Sequence, residues 1–401
     1  MPELIMTHEA LTSISLLVFF TWVYMLLFYG RRKVITDKFF WQNPEIFEKK
    51  KWAHNIQTTK DRVCIIIPAR NEENTIIKTL KSIKSQEYSH LEVIVINDNS
   101  SDNTAKKIID FKKEFAKLSL LNGKKLPKGW VGKTWALKQG VDFALKKKFE
   151  YFLFLDSDIT LGKGLLSRAV SFANHFDFIM ISLMAKLHCK SIWEKLLIPP
   201  FIFFFQMLYP FNKVCNRYFN TAAAAGGFIL CKASIFEEVN LYTRIKDKVI
   251  DDCNLARLIK KKGNIWLGLT NKVLSERSYR DLRTIWRMVS RTAFEQLKKS
   301  YVFLIISLLG LFLSYLFPAI IILLCILKLE NSYLVNLIII LNLSSILMMI
   351  AIYFPTARFY RLTGVFYLSL PIAAFFYFLM TLSSGINNLL LDGNNWKGRK
   401  Y

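Results

Sequence analysis

The apolar residues of this chain fall into short runs and long runs, and the two kinds occupy different stretches. The short runs end in polar or acidic residues. They are Val63–Pro68 (VCIIIP), Leu91–Asn97 (LEVIVIN), the start of Tyr151–Thr160 (YFLFLDSDIT), Asp177–Leu187, Phe228–Cys231 and Asn264–Leu269 (NIWLGL). Unbroken apolar runs of this length fit strands buried on both faces of a sheet. Between them the apolar residues recur at helical spacing. Ile76, Ile77, Leu80 and Ile83 predict a helix over 74–85, and Thr104–Phe115 predicts another. Leu137, Val141, Ala144 and Leu145 mark a helix over 133–147; Leu255, Leu258 and Ile259 mark one over 253–262, closed by Gly263. Strand and helix in alternation predict an α/β fold, with a mostly parallel sheet and right-handed crossovers.

The long runs predict membrane helices. Leu11–Tyr29 carries no charge and is long enough to span a bilayer; residues 302–327, 333–354 and 364–382 are further candidates. Arg31-Arg32-Lys33 directly follows the first run, which by the positive-inside rule sets the N-terminus outside and the next domain in the cytoplasm. No basic stretch precedes that run and no small-residue cleavage site follows it, so it reads as an anchor and not as a signal peptide. Residues 31–60 read as a membrane-proximal linker, with Trp41 and Trp52 at the interface. Leu196–Phe211 (LLIPPFIFFFQMLYPF) is apolar but short and contains three prolines; it reads as an interfacial or re-entrant segment, against a buried core helix. The Arg-rich residues 276–300 predict a helix on the membrane surface. The resulting plan is an anchor (1–30), a linker (31–60), a globular domain (61–300) with its interfacial segment (196–211), and a membrane region with a basic tail (301–401). Four full spans from an outside N-terminus leave the tail Asn394–Tyr401 outside. That conflicts with its basic character and predicts that one segment is re-entrant or interfacial.

Composition sharpens this picture in two ways. A mean hydropathy of +0.27 is too high for an ordinary soluble enzyme. The formal net charge of +25 points to the anionic cytoplasmic leaflet and to phosphate-bearing substrates. No nucleic-acid-binding motif accompanies it, so nucleic acid is not an expected partner. The six cysteines form no CxxC pair and the five histidines show no ligand spacing, which argues against zinc.

The candidate chemistry sits at strand ends. Asp156 and Asp158 lie just past an apolar strand, on the edge where open α/β sheets bind ligands. Two carboxylates one residue apart can converge on a hard cation and its phosphates, as Mg²⁺ sites do. Asp98 and Asp102 end the preceding strand in the same way. Lys133 opens a helix after Gly129 and Gly132. There it is either an anion site beside free N–H groups or a solvated lysine, and the P-loop spacing is not met. Ala222–Ala225 and Gly226-Gly227 let backbone approach a ligand closely. Asp251 and Asp252 open a helix, where they serve either as dipole-favoured N-terminal residues or as a general base.

In this order, IPARNEE (Ile67–Glu73), NDNSSD (Asn97–Asp102), Asp156-Ser157-Asp158 and Asp251-Asp252 resemble the signature of family 2 glycosyltransferases. LPKGWVGKTWALKQG, AAAAGGFIL, IDDCNLA and IWLGLT are similar to the hopanoid-associated subfamily, akin to ceramide glucosyltransferases and carotenoid-type glycosyltransferases. The resemblance covers about residues 60–300. It implies a GT-A fold and an inverting transfer of sugar from a nucleotide-sugar, specifically a UDP-sugar, to a lipid or polyisoprenoid acceptor. It also implies a multi-pass protein of a bacterial-type inner membrane, working at its cytoplasmic face. By the same resemblance Ala69 and Glu72 line the nucleotide pocket, Asp98 contacts uracil or ribose and Asp156 joins the donor site; Lys133, read as an anion site from its own position, is placed with them. Asp156 and Asp158 hold Mg²⁺ or Mn²⁺, and Asp252 is the base with Asp251 beside it. The QxxRW motif of processive members is not matched at Trp286–Thr292, which favours single transfer over a polysaccharide or lipopolysaccharide glycosyltransferase. Trp396-Lys397-Gly398-Arg399 resembles a basic tail of the lipid-glycosylating relatives. A non-catalytic membrane scaffold with a degenerate nucleotide-binding domain is the reading from another class. These motifs carry no signal for the sugar, the lipid or the oligomeric state.

Overall fold

The computed structural model describes residues 8–30, 60–238, 240–328, 332–390, 395–396 and 399–400. The linker tryptophans Trp41 and Trp52 and the Arg31–Lys33 cluster lie outside these residues, as does most of the tail. The described chain forms two compact units: residues 60–188 with 209–278, and residues 8–30 with 189–208 and 279–390.

The first unit is built on one eight-stranded sheet. Its strands are β1 (Val63–Ala69), β2 (Leu91–Asn97), β3 (Leu118–Asn122), β4 (Tyr151–Leu155), β5 (Ile159–Leu161), β6 (Met180–Lys186), β7 (Phe228–Lys232) and β8 (Ile265–Ser275). Their spatial order is β3-β2-β1-β4-β7-β6-β8-β5. β1 pairs in parallel with both β2 and β4, and β6 pairs in parallel with β8. β7 is antiparallel to β4 and β6, and β5 is antiparallel to β8, so these two alone run against the rest. The apolar runs behave as buried strands should: every residue of β4 is buried, and Val63–Ile67 of β1 are fully so. Gly140, on the helix Gly132–Ala144, meets the sheet so closely that a Cβ there would lie 2.5 Å from Ile66 Cγ2.

Three strands differ from the sequence expectation: β3 and β5 are not among the predicted strands, and β6 is shorter. β3 is only partly buried, so its signal is weak. β5 is three residues long and exists because β8 continues past its apolar run, with Val273–Ser275 pairing with Leu161–Ile159. β6 starts at Met180, because Asp177 takes a left-handed turn (φ 49°) before it.

The second unit contains four helices long and apolar enough to cross a membrane: His8–Leu27, Tyr301–Leu327, Tyr333–Phe359 and Leu370–Leu390. Polar contacts tie three of them together. Asn342 Nδ2 donates to Ser15 Oγ at 2.8 Å, and Trp22 Nε1 donates to the Ser314 carbonyl at 2.9 Å. The stretch read from sequence as interfacial is a continuous helix, Ile192–Leu208, that runs through Pro199 and Pro200. Its Leu197 packs with Ile285, Val289, Ala373, Tyr377 and Met380. The Tyr377 hydroxyl donates to the Leu197 carbonyl at 2.8 Å. The Arg-rich helix Leu282–Gln296 belongs to this same cluster.

Candidate active site

The site is assembled where strands end. β1 and β2 stop side by side, and their loops are laced together. Asp98 N donates to the Ala69 carbonyl at 2.8 Å, and Arg70 Nη1 donates to the Asp98 carbonyl at 2.7 Å. Asn71 and Asn99 both sit in the left-handed region (φ 53° and 52°), which asparagine tolerates better than most residues. The Asn71 side-chain oxygen Oδ1 accepts from Ser101 N at 2.8 Å, and Asp102 Oδ2 accepts from Glu73 N at 3.2 Å. Ala69 and Asp98 are thus buried neighbours on one edge.

Past β4 the chain turns tightly, with Ile159 N donating to the Asp156 carbonyl at 3.2 Å. Thr79 Oγ1 holds the Ser157 carbonyl at 2.9 Å, and Glu276 N holds the Asp158 carbonyl at 2.7 Å. This turn sends its two carboxylates to different cations. Asp156 Oδ1 lies 2.9 Å from Lys133 Nζ. Asp158 Oδ2 lies 2.9 Å from Arg277 Nε, while Arg277 Nη2 reaches Glu72 Oε1 at 2.8 Å.

The Lys133 group is the larger of the two clusters. Lys133 opens the helix Gly132–Ala144 and also lies 3.7 Å from Asp251 Oδ2. Asp251 and Asp252 form the first turn of the helix Asp251–Lys260. Asp252 Oδ2 accepts from Gly226 N at 2.8 Å, and its Oδ1 accepts from Cys253 N at 2.7 Å. A Cβ on Gly226 would lie 3.1 Å from Lys133 Nζ, 3.3 Å from Asp252 Oδ2 and 3.7 Å from Asp156 Oδ2. Three charged side chains therefore converge on one backbone point that lacks a side chain, and Asp251 joins the group through Lys133. Lys133 is not a solvated lysine; the anions it serves here are carboxylates.

Electrostatics separate the members. Burial works against the Lys133 charge, but Asp156, Asp251 and Asp252 more than offset it and hold the ammonium well above its ordinary range. Burial raises Asp251, while Lys133 opposes the shift. Asp252 is pushed up to about 6, by burial first and by the Asp251 charge second. Asp158 is also raised by burial, with Arg277 opposing.

Asp156 and Asp158 supply the hard oxygen donors that a Mg²⁺ or Mn²⁺ ion needs, on one short turn. Among the described residues no group of three or more His, Cys, Asp or Glu is arranged to hold an ion. The two carboxylates are of the kind that binds Mg²⁺ together with substrate phosphates, and in this structure each is paired with a different side-chain cation.

Sequence reasoning misses Arg277 and the Gly226 N–H. Arg277 follows the end of β8 at Ser275, and a basic residue at a strand's end beside acidic strand ends is the available signal. Gly226 lies in the small-residue tract noted above, but the partner its backbone approaches is Asp252.

Residues 64–239 match the family profile described as Glycosyl transferase family 2. The chain is 30% identical over 135 residues to 4,4'-diaponeurosporenoate glycosyltransferase of Staphylococcus haemolyticus, covering 34% of this chain and 30% of that protein. It is 37% identical over 103 residues to poly-beta-1,6-N-acetyl-D-glucosamine synthase of Staphylococcus epidermidis, covering 25% and 22%. It is 31% identical over 113 residues to GalNAc(5)-diNAcBac-PP-undecaprenol beta-1,3-glucosyltransferase of Campylobacter jejuni, covering 28% and 35%. The matches thus span about a fifth to a third of these relatives' lengths. A solved mannosyltransferase of Pyrobaculum calidifontis, in complex with GDP-Man and Mn²⁺, superposes with a TM-score of 0.53 at 15% identity, covering 95% of this chain and 99% of that one. That likeness concerns the fold, which is GT-A-like.

Proposed function

We propose, taking the family 2 glycosyltransferase domain of residues 64–239 as the premise, that this protein moves one sugar from a nucleotide-sugar to a lipid acceptor, with inversion. The observation that carries the proposal is the convergence of Lys133, Asp156 and Asp252 on the Gly226 backbone, with Asp251 beside Lys133. A donor diphosphate needs cations and a coordinated metal; an acceptor hydroxyl needs a base. Lys133, Asp156 and Asp252, gathered in one cluster, support assigning both roles to this edge of the sheet.

The steps assign as follows. Asp156 and Asp158 would hold the divalent cation, which supplies charge compensation to the departing diphosphate. Lys133 is directed at the same anionic region and orients the phosphates. Asp252 takes the proton from the acceptor hydroxyl as that oxygen bonds the anomeric carbon. The carbon–oxygen bond to the diphosphate breaks on the opposite face. A carboxylate pushed up to about 6 suits this task, since a base works best with a pKa near the operating pH. Ala69, Glu72 and Asp98 would receive the nucleoside at the ends of β1 and β2.

A UDP-sugar donor, and an acceptor of the polyisoprenoid or hopanoid-associated kind reached at the cytoplasmic face of a bacterial-type inner membrane, extend this reading. They rest on the motifs LPKGWVGKTWALKQG and AAAAGGFIL and on the four apolar helices. Two of the similar proteins carry lipid-like acceptors in their names, undecaprenol and diaponeurosporenoate. The similarity to a poly-N-acetylglucosamine synthase favours a second reading, polysaccharide synthesis. The two separate in one assay: nucleoside diphosphate release by the detergent-purified protein, with Mn²⁺ or Mg²⁺, a panel of UDP- and GDP-sugars and a total polar-lipid extract. Release that requires the lipid supports lipid transfer and names the donor. Release with donor alone, yielding polymer, supports the second reading. No metal-dependent binding of any nucleotide contradicts both.

A further inference from the structure

After Leu208 the chain forms the short helix Phe211–Val214 and then a loop whose two ends are clamped by one ammonium. Lys260 Nζ donates to the carbonyls of Lys213 (2.9 Å), Val214 (2.8 Å) and Thr221 (2.6 Å). Cys215 adds a second tie: its Sγ lies 3.4 Å from Leu267 N on β8. At the tip, Tyr218 N donates to Asn216 Oδ1 at 2.9 Å and Phe219 N donates to the Asn216 carbonyl at 3.2 Å. The loop is therefore held in shape, yet its tip points two aromatic rings outward. Tyr218 is 87% exposed and Phe219 45% exposed. A cation stands over each ring: Arg217 at 5.9 Å from Tyr218 and Lys213 at 5.8 Å from Phe219. From Tyr209 to Ala225 there is no acidic residue.

A single exposed aromatic needs no explanation. Two adjacent ones, on a loop braced by three hydrogen bonds from one lysine and flanked by two cations, form a distinct surface. Aromatic rings concentrate at the headgroup level of bilayers, and Lys and Arg are attracted to anionic lipid. In sequence the loop follows the helix Ile192–Leu208, whose Leu197 shares an apolar cluster with Ala373, Tyr377 and Met380 of the candidate membrane helix Leu370–Leu390. We infer that the Arg217-Tyr218-Phe219 tip is an interfacial anchor that seats in an anionic lipid surface. This holds whatever the acceptor of the enzyme is.

The test uses the full chain in proteoliposomes, with Tyr218→Trp as a reporter and the unaltered protein, with its nine native tryptophans, as the blank. In vesicles containing phosphatidylglycerol, lipids brominated in the acyl chains should quench the difference signal of the introduced indole by roughly half or more, while aqueous iodide should barely touch it. Reversing the flanking charges (Lys213→Glu with Arg217→Glu) should bring the quenching down to the level seen in phosphatidylcholine alone. Lys260→Met, which unclamps the loop, should lower it as well. Strong iodide quenching without bromolipid quenching places the tip in water and overturns the inference. Protection from both quenchers means that protein covers the tip, which also overturns it. Equal quenching in neutral and anionic vesicles, insensitive to charge reversal, overturns the choice of an anionic surface.

Discussion

The two cation–carboxylate clusters at the sheet's edge are built from similar parts and differ in balance. Arg277 bridges two carboxylates, Asp158 and Glu72, through two different nitrogens. Lys133 faces three, Asp156, Asp251 and Asp252, with one ammonium. In the first cluster each carboxylate has its own guanidinium hydrogen bond. In the second, Asp252 has no cation of its own among these contacts and is held by two backbone N–H groups. The Lys133 charge and those N–H groups stabilise its charge less than burial and Asp251 oppose it, so it is tuned to about 6. Under the proposed function the contrast separates the carboxylate that binds from the one that reacts. Burial raises both carboxylates, but Arg277 opposes the shift at Asp158, whereas Asp252 sits beside another acid and is set near neutral pH.

Substitutions should break this comparison unequally. Asp252→Asn should lower kcat by roughly 10²–10⁴-fold with donor affinity nearly unchanged, as loss of a general base does; steady-state kinetics and nucleotide binding measured together check it. Lys133→Met leaves three carboxylates without their common cation and removes a phosphate contact. It should cost roughly 10²–10³-fold in kcat/KM, and donor titrations should show weaker binding as well. Arg277→Met should act on the other cluster alone. Losing a charged hydrogen-bond donor costs about 1.5–3 kcal/mol, so donor KM should rise roughly 10–100-fold with a smaller change in kcat. Gly226→Ala should be mildest. Its methyl would press on Lys133 Nζ and Asp252 Oδ2, at 3.1 and 3.3 Å. A flexible lysine end can yield, so a several-fold fall in kcat with little change in melting temperature is expected.

Much of this is legible in the sequence because it depends on runs and ends. The buried strand Tyr151–Leu155 and the acids after it follow from one apolar run meeting Asp156-Ser157-Asp158. Asp251 and Asp252 opening a helix follows from the helical spacing behind them. What stays illegible depends on pairing across the chain. β5 has no signal of its own and forms only because β8 overshoots its apolar run. Arg277 lies 205 residues along the chain from Glu72, so no local pattern announces their contact. The helix Ile192–Leu208 is hard to assign because Pro199-Pro200 signals a break, while packing carries the helix through.

The central claim is that Asp252 is the base and that its setting, not that of Asp158, fixes the acid limb of activity. The most direct measurement is the pH dependence of kcat/KM for sugar transfer between about pH 5 and 8, for the unaltered protein and for Asp158→Asn. An ionised base is required, so activity should be full above the Asp252 pKa and fall about tenfold per pH unit below about 6. Asp158→Asn should lower the whole curve through donor binding and leave that limb in place. A flat profile through pH 6, or a limb that vanishes with Asp158→Asn, would contradict the account.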